Sequence, residues 1–122
     1  MPDIDWGLLR SRALEVMQNA HAPFSGYRVG AAGLVDDGRI VVGCNVENGS
    51  YGVTLCAECG MVSSLHATGG GSLVAMYCVN VREEPITPCG RCRQVLLDHG
   101  GAAMQIATDE GTMTLGELFP KP

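Results

Sequence analysis

The chain has 122 residues, 46% of them hydrophobic and 17% charged, with a net charge of −5, which suits a single soluble α/β-sized domain over residues 1–122. An acidic balance with only six aromatic residues argues against a nucleic-acid surface, which needs basic stripes and stacking platforms. Asp3, Asp5, Arg10, Arg12 and Glu15 break the first twenty residues, and no apolar run reaches the ~18–20 residues of a membrane span, so a cytosolic protein with no membrane or nucleic-acid partner is expected.

Leu9, Ala13, Val16, Met17 and Ala20 recur at helical spacing and predict an amphipathic helix from Trp6 to Ala20. Val29–Val35 and Ile40–Asn45, joined by Asp36-Asp37-Gly38, read as a β-hairpin. Asn48, Gly49 and Gly52 mark a loop, and a helix follows from Cys56 to Ala67, stopped by Gly69-Gly70-Gly71. Leu73–Val81 is an apolar run of strand length, as in a sheet interior. After Pro85 and Pro88 come a helix from Arg91 to Asp98, a strand from Met104 to Thr108, and a further possible strand at Thr112–Leu115. Helices alternating with strands in this order predict a three-layer α-β-α sandwich around a mixed, roughly five-stranded sheet.

Six cysteines in a reducing compartment point to metal or catalysis rather than disulfides. Cys44 and Cys78 lie in apolar runs and read as core residues. The other four form two C-x-x-C pairs, Cys56-Ala57-Glu58-Cys59 and Cys89-Gly90-Arg91-Cys92. Four thiolates would close a structural zinc site and leave no open position. A catalytic site instead leaves one position open and needs a proton carrier beside it, and Glu58 fits that need. On a regular helix Glu58 points ~200° from Cys56, so it reads as an acid/base outside the ligand set. Pro88 places Cys89 in the first turn of a helix, where free N–H groups favour a thiolate, and Cys92 returns to the same face.

Four segments in order resemble the small, tetrameric class of cytidine deaminases: Pro23-Phe24-Ser25-Gly26-Tyr27-Arg28-Val29-Gly30-Ala31-Ala32, Gly43-Cys44-Asn45-Val46-Glu47-Asn48-Gly49-Ser50-Tyr51, Cys56-Ala57-Glu58 and Pro88-Cys89-Gly90-Arg91-Cys92-Arg93-Gln94. The resemblance implies one Zn2+ per subunit on Cys56, Cys89 and Cys92, with Glu58 carrying protons between water, the pyrimidine N3 and the leaving amine. It also implies that Asn45 and Glu47 read the sugar hydroxyls, that the Ala57 N–H meets the pyrimidine carbonyl, and that Tyr27 packs on the base. Tyr51 would be offered to a neighbouring subunit of a homotetramer; separately, Phe119 is expected near a neighbour's pocket.

Departures from the family pattern are expected to matter. Cys59 stands where most relatives carry Arg, and the sequence ends at Leu118-Phe119-Pro120-Lys121-Pro122, where relatives continue. Arg91, between two ligands, is expected to take over the charge of the missing arginine by hydrogen-bonding Cys56 or Cys89, with Arg93 as its rival. Deamination of an aminonucleoside antibiotic such as blasticidin S is the second enzymatic reading. A four-cysteine structural zinc module using Cys59 is the non-enzymatic one.

Overall fold

Asp5 opens the first helix by accepting from the Leu8 N–H at 3.0 Å, and α1 runs Trp6–Met17. The computed structural model describes residues 2–121; Met1 and Pro122, the ends of the expected domain, lie outside the described residues. The helix stops short of Ala20 because Gln18, Asn19 and Ala20 donate to carbonyls three residues back, tightening the chain into a turn.

The hairpin forms as β1 (Gly30–Val35) and β2 (Ile40–Cys44), with Gly38 at φ 94 in its turn. A 3-10 turn at Tyr51–Val53, not foreseen, leads to α2 (Ala57–Ala67). Then follow β3 (Leu73–Val79), α3 (Gly90–Gly100), β4 (Gln105–Thr108), β5 (Gly111–Thr114) and α4 (Leu115–Leu118). The sheet order is β2-β1-β3-β4-β5; only β3 and β4, joined through α3, are parallel.

Strand alternation divides the core between two faces. Leu9, Ala13 and Met17 of α1 cover Ala32, Leu34, Ala75 and Val79. Met61 and Leu65 of α2 and Leu96 of α3 cover Ala31, Val35, Met76 and Cys78 on the other face. The expected three-layer sandwich around a mixed five-stranded sheet is the observed fold.

Several boundaries differ for local reasons. β3 ends at Val79 because the Asn80 side chain accepts from the Arg82 and Glu84 N–H groups and turns the chain. The expected strand at Thr112–Leu115 is cut at Thr114, which caps α4 in a reciprocal box with Glu117. Cys78 is fully buried, but Cys44, at the end of the edge strand β2, is only half-buried and is not a core residue. Phe119 packs, partly buried, against the core of its own chain. Among the described residues no helix is long and apolar enough to cross a membrane.

Candidate active site

Two helices begin at the same end of the molecule, each on a cysteine. Cys56 is the N-cap of α2 and Cys89 that of α3, both in extended conformation. This corrects the expectation that Cys89 sits in the first turn: Pro88 precedes the cap and Gly90 takes the first helical position. The divergence of Glu58 from Cys56 has the same origin, since Cys56 lies outside the helix whose first turn holds Glu58.

As cap residues the two cysteines bring their sulfurs within 3.8 Å of each other. Cys92, in the first turn of α3 and fully buried, completes a group whose three sulfurs all lie within 4.8 Å of one another. Tetrahedral Zn–S bonds of ~2.3 Å place neighbouring sulfurs about 3.8 Å apart, so the donor set fits zinc. The Cys59 sulfur is 4.0 Å from that of Cys92 but is not a member of the three-sulfur group. The geometry is that of three ligands with one position to spare.

α2 comes this close to the sheet because Gly43 has no side chain. A Cβ there would run into the Ala57 carbonyl oxygen and the Met61 nitrogen. The glycine thus sets Ala57 and Glu58 against the end of β2. Glu58 is 5% exposed. Burial pushes its carboxyl above the usual carboxylate range, while its own backbone N–H and the thiols of Cys92 and Cys78 pull less strongly the other way. Burial likewise raises the Cys56 and Cys92 thiols, Cys92 strongly, with the Glu58 charge adding to both. Burial also pulls Cys89 upward, but its contacts with Cys92 and Cys56 outweigh it and its thiol lies below the ordinary value.

Cys56, Ala57, Glu58 and Cys89 form the floor of a cavity of about 390 Å³, and Tyr27, Asn45, Glu47 and Tyr51 stand in its wall. Cys92 and Arg91 are not among its lining residues. Cys92 is fully buried, and Arg91 borders a recess of about 220 Å³ next to it, shared with Tyr51, Thr54 and Cys56.

Two of the wall residues, Asn45 and Glu47, are tied by their side chains to the backbone of the Phe24–Val29 segment. Asn45 Oδ1 accepts from the Val29 N–H at 2.8 Å, and Nδ2 donates to the Tyr27 carbonyl at 2.9 Å. Glu47 Oε1 accepts from the Phe24 and Ser25 N–H groups, and Oε2 from the Ser25 hydroxyl at 2.5 Å. Those bonds, the Ser25 hydroxyl first, hold the Glu47 carboxyl below its usual range. Tyr51 is 91% exposed and Tyr27 44%.

Arg91 reaches the Cys56 sulfur, one of the two expected for it, and has the Cys59 sulfur, not that of Cys89, as its other sulfur contact. Its Nη2 lies 3.9 Å from Cys56 Sγ and 3.8 Å from Cys59 Sγ, and donates to the Thr54 carbonyl at 3.3 Å. Arg93 is engaged elsewhere, donating to the Pro88 carbonyl at 2.9 Å and the Leu118 carbonyl at 2.8 Å. Three contributors went unrecognised in the sequence. Ser25 sits inside a quoted motif, and Gly43 opens another. Thr54, which supplies only a carbonyl, leaves no side-chain signal.

The family described as "Cytidine and deoxycytidylate deaminase zinc-binding region" matches residues 8–108. A cytidine deaminase of Mycobacterium tuberculosis is 55% identical over 120 residues, covering 98% of this chain and 90% of that protein. The crystal structure of cytidine deaminase from Mycobacterium leprae superposes with a TM-score of 0.96 at 50% identity, covering 98% of this chain and all of that one. That from Burkholderia pseudomallei gives 0.86 at 35%, covering 97% and 98%. With a family match over most of its length and a relative this similar from end to end, the chain belongs to the zinc-binding cytidine deaminase family.

Proposed function

We propose that this chain, as one domain, hydrolyses the exocyclic amine of free cytidine and deoxycytidine, yielding uridine or deoxyuridine and ammonia. The observation that carries this reading is a buried carboxylate beside a three-sulfur metal set, on the floor of a cavity of about 390 Å³. That volume is within the range of small-ligand sites.

Cys56, Cys89 and Cys92 hold the metal. Zinc bound there supplies the Lewis acidity that makes water a competent nucleophile at neutral pH. Glu58 moves the protons: it takes one from the attacking water and delivers it to N3 of the pyrimidine, then takes the second from the new C4 hydroxyl and passes it to the amine, which leaves as ammonia as the C4 carbonyl forms. Its raised affinity for protons suits a group that must both take and give near neutrality. The Ala57 N–H, in the first turn of α2, donates to the pyrimidine carbonyl, and Tyr27 packs on the base.

Sugar recognition falls to what Asn45 and Glu47 have left. With one amide N–H given to Tyr27 and one Oε2 lone pair to Ser25, the pair retains a donor and an acceptor for sugar hydroxyls. The reading extends to a homotetramer in which Tyr51 serves a neighbour's pocket. Phe24, Tyr51, Val53 and Leu55 are exposed apolar side chains, and Tyr51 and Leu55 line the cavity, which supports a surface covered by a second copy. None of the six cysteines is paired in a disulfide, which supports a cytoplasmic enzyme.

The test is loss of cytidine ultraviolet absorbance on adding zinc-loaded protein, with light scattering on the same sample. Protein that holds one zinc per chain and leaves cytidine unchanged would overturn the deaminase reading; a monomer alone would overturn the assembly.

A further inference from the structure

We infer that Arg91 is the cation that balances the thiolate set, acting through the Cys56 sulfur, and that Cys59 seats this arginine and does not bind the metal. The inference rests on the zinc reading above and deepens it.

Charge states the problem. Three thiolates and one Zn2+ sum to −1, and the Glu58 carboxylate is buried beside them. Negative charge concentrated at low dielectric is costly, and each thiolate must also compete with its own proton for the metal. The positive ends of α2 and α3 supply partial charges; a full compensating charge needs a side chain.

Arg91 stands at the second position of α3, between two ligands. Its helix start faces that of α2, so the guanidinium crosses from one helix to the other and meets three groups on the α2 side. One terminal nitrogen lies 3.9 Å from Cys56 Sγ, 3.8 Å from Cys59 Sγ and 3.3 Å from the Thr54 carbonyl. A donor shared by a ligand sulfur, a non-ligand sulfur and a fixed carbonyl is positioned rather than free, although the side chain borders an open recess. Arg93, the nearest alternative, spends its donors on the Pro88 and Leu118 carbonyls and so anchors the approach to Cys89 instead.

This arrangement also accounts for Cys59. Its sulfur lies near both Cys92 and Arg91, yet it is not part of the three-sulfur group. A polarisable sulfur there accepts from the guanidinium without adding a fourth ligand that would close the open position. Arg91 is therefore a positioning residue for the metal set and not a catalytic one.

The experiment compares zinc transfer from purified protein to the chelator 4-(2-pyridylazo)resorcinol at fixed pH, and melting of zinc-loaded and zinc-stripped forms. Arg91→Ala and Arg91→Gln are expected to weaken zinc binding about 10–100-fold, the range for loss of a partner outside the ligand set. Arg91→Lys, which keeps the charge and loses the fork, is expected to fall between them and wild type. The zinc-loaded form of Arg91→Ala should melt lower while its stripped form melts like wild type, since only the bound state gains from the cation. Cys59→Ala should still hold one zinc with a smaller loss of affinity. Adding Cys59→Arg to Arg91→Ala should recover much of the loss, because position 59 reaches the same place from the α2 side.

Unchanged zinc affinity in Arg91→Ala, or equal destabilisation of its loaded and stripped forms, would overturn the role of Arg91. Loss of zinc in Cys59→Ala would overturn the seat and make Cys59 a ligand. Wild-type protein that binds no zinc would overturn the metal reading itself, a result visible before any variant is made.

Discussion

The floor and the wall of the cavity are built by opposite means. The floor hangs on two helix starts, one of them set against the sheet by a glycine: Ala57 is 1% and Glu58 5% exposed, while Cys56 is half-buried and Cys89 open to solvent. The wall is loop. Tyr27, Asn45 and Glu47 lie between the regular elements and Tyr51 opens a short 3-10 turn, and Asn45 and Glu47 hold this shape through side-chain bonds to backbone. Groups that move protons and hold a metal must keep their geometry to fractions of an ångström, which rigid elements provide. Groups that admit and release a nucleoside need less precision and more room to move. Chemistry on the floor should therefore respond to changes of charge, and binding at the wall to changes of loop order.

The largest effect is expected on the floor without any loss of structure. Glu58→Gln keeps the shape and removes the proton carrier, so kcat should fall by ~10²–10⁴ while zinc content and melting stay near wild type. Steady-state kinetics with metal analysis checks this, and near-normal turnover would take Glu58 out of the mechanism.

A backbone change separates the two regions next. Gly43→Ala puts a Cβ against the Ala57 carbonyl and the Met61 nitrogen, backbone atoms that cannot yield without shifting α2. Destabilisation of about 1–3 kcal/mol is expected from such overpacking, with weakened zinc binding because Cys56 moves with the helix start. Gly49→Ala in the wall meets only the Phe24 ring, at 3.7 Å, an ordinary contact. It should melt like wild type, and parallel thermal denaturation of the two variants tests the contrast.

How much of this was legible in the sequence follows the same division. Cys56, Glu58, Cys89 and Cys92 could be read because metal and proton chemistry demand those residue types at short spacing, and the sheet because its strands are apolar and bounded by turns. The strand expected at Thr112–Leu115 is present as β5, and the spacing of Thr114 and Glu117, that of a capping box, also encodes the helix that takes Leu115. The anchoring of Glu47 was not readable, because its partners Phe24 and Ser25 lie 23 and 22 residues away. Nor was the exact reach of Arg91, which depends on how the starts of α2 and α3 meet in space. Arg93 is as close in sequence and points to different partners.

The smallest expected effect belongs to the wall and has a definite sign with pH. Glu47 is held below its ordinary value of 4.5, first by the Ser25 hydroxyl, then by the Ser25 and Phe24 N–H groups. The unfolded chain thus takes up this proton before the folded one does. The stabilisation is complete above about pH 4.5 and is lost as pH falls through the lower, folded value. Because the carboxylate is solvent-facing, the effect on global stability is small and is weakened further by salt. Its clearer signature is local, since protonation releases the bonds that order the Phe24–Ser25 backbone beside the substrate. Cytidine KM should therefore rise as pH falls through that lower, folded value, more steeply in wild type than in Glu47→Gln, which cannot titrate and keeps a weaker acceptor in place. The difference should shrink at high ionic strength. Identical acid limbs in the two proteins would show that this carboxylate does not organise the wall, and the distinction between a rigid floor and a hydrogen-bonded wall would lose its electrostatic part.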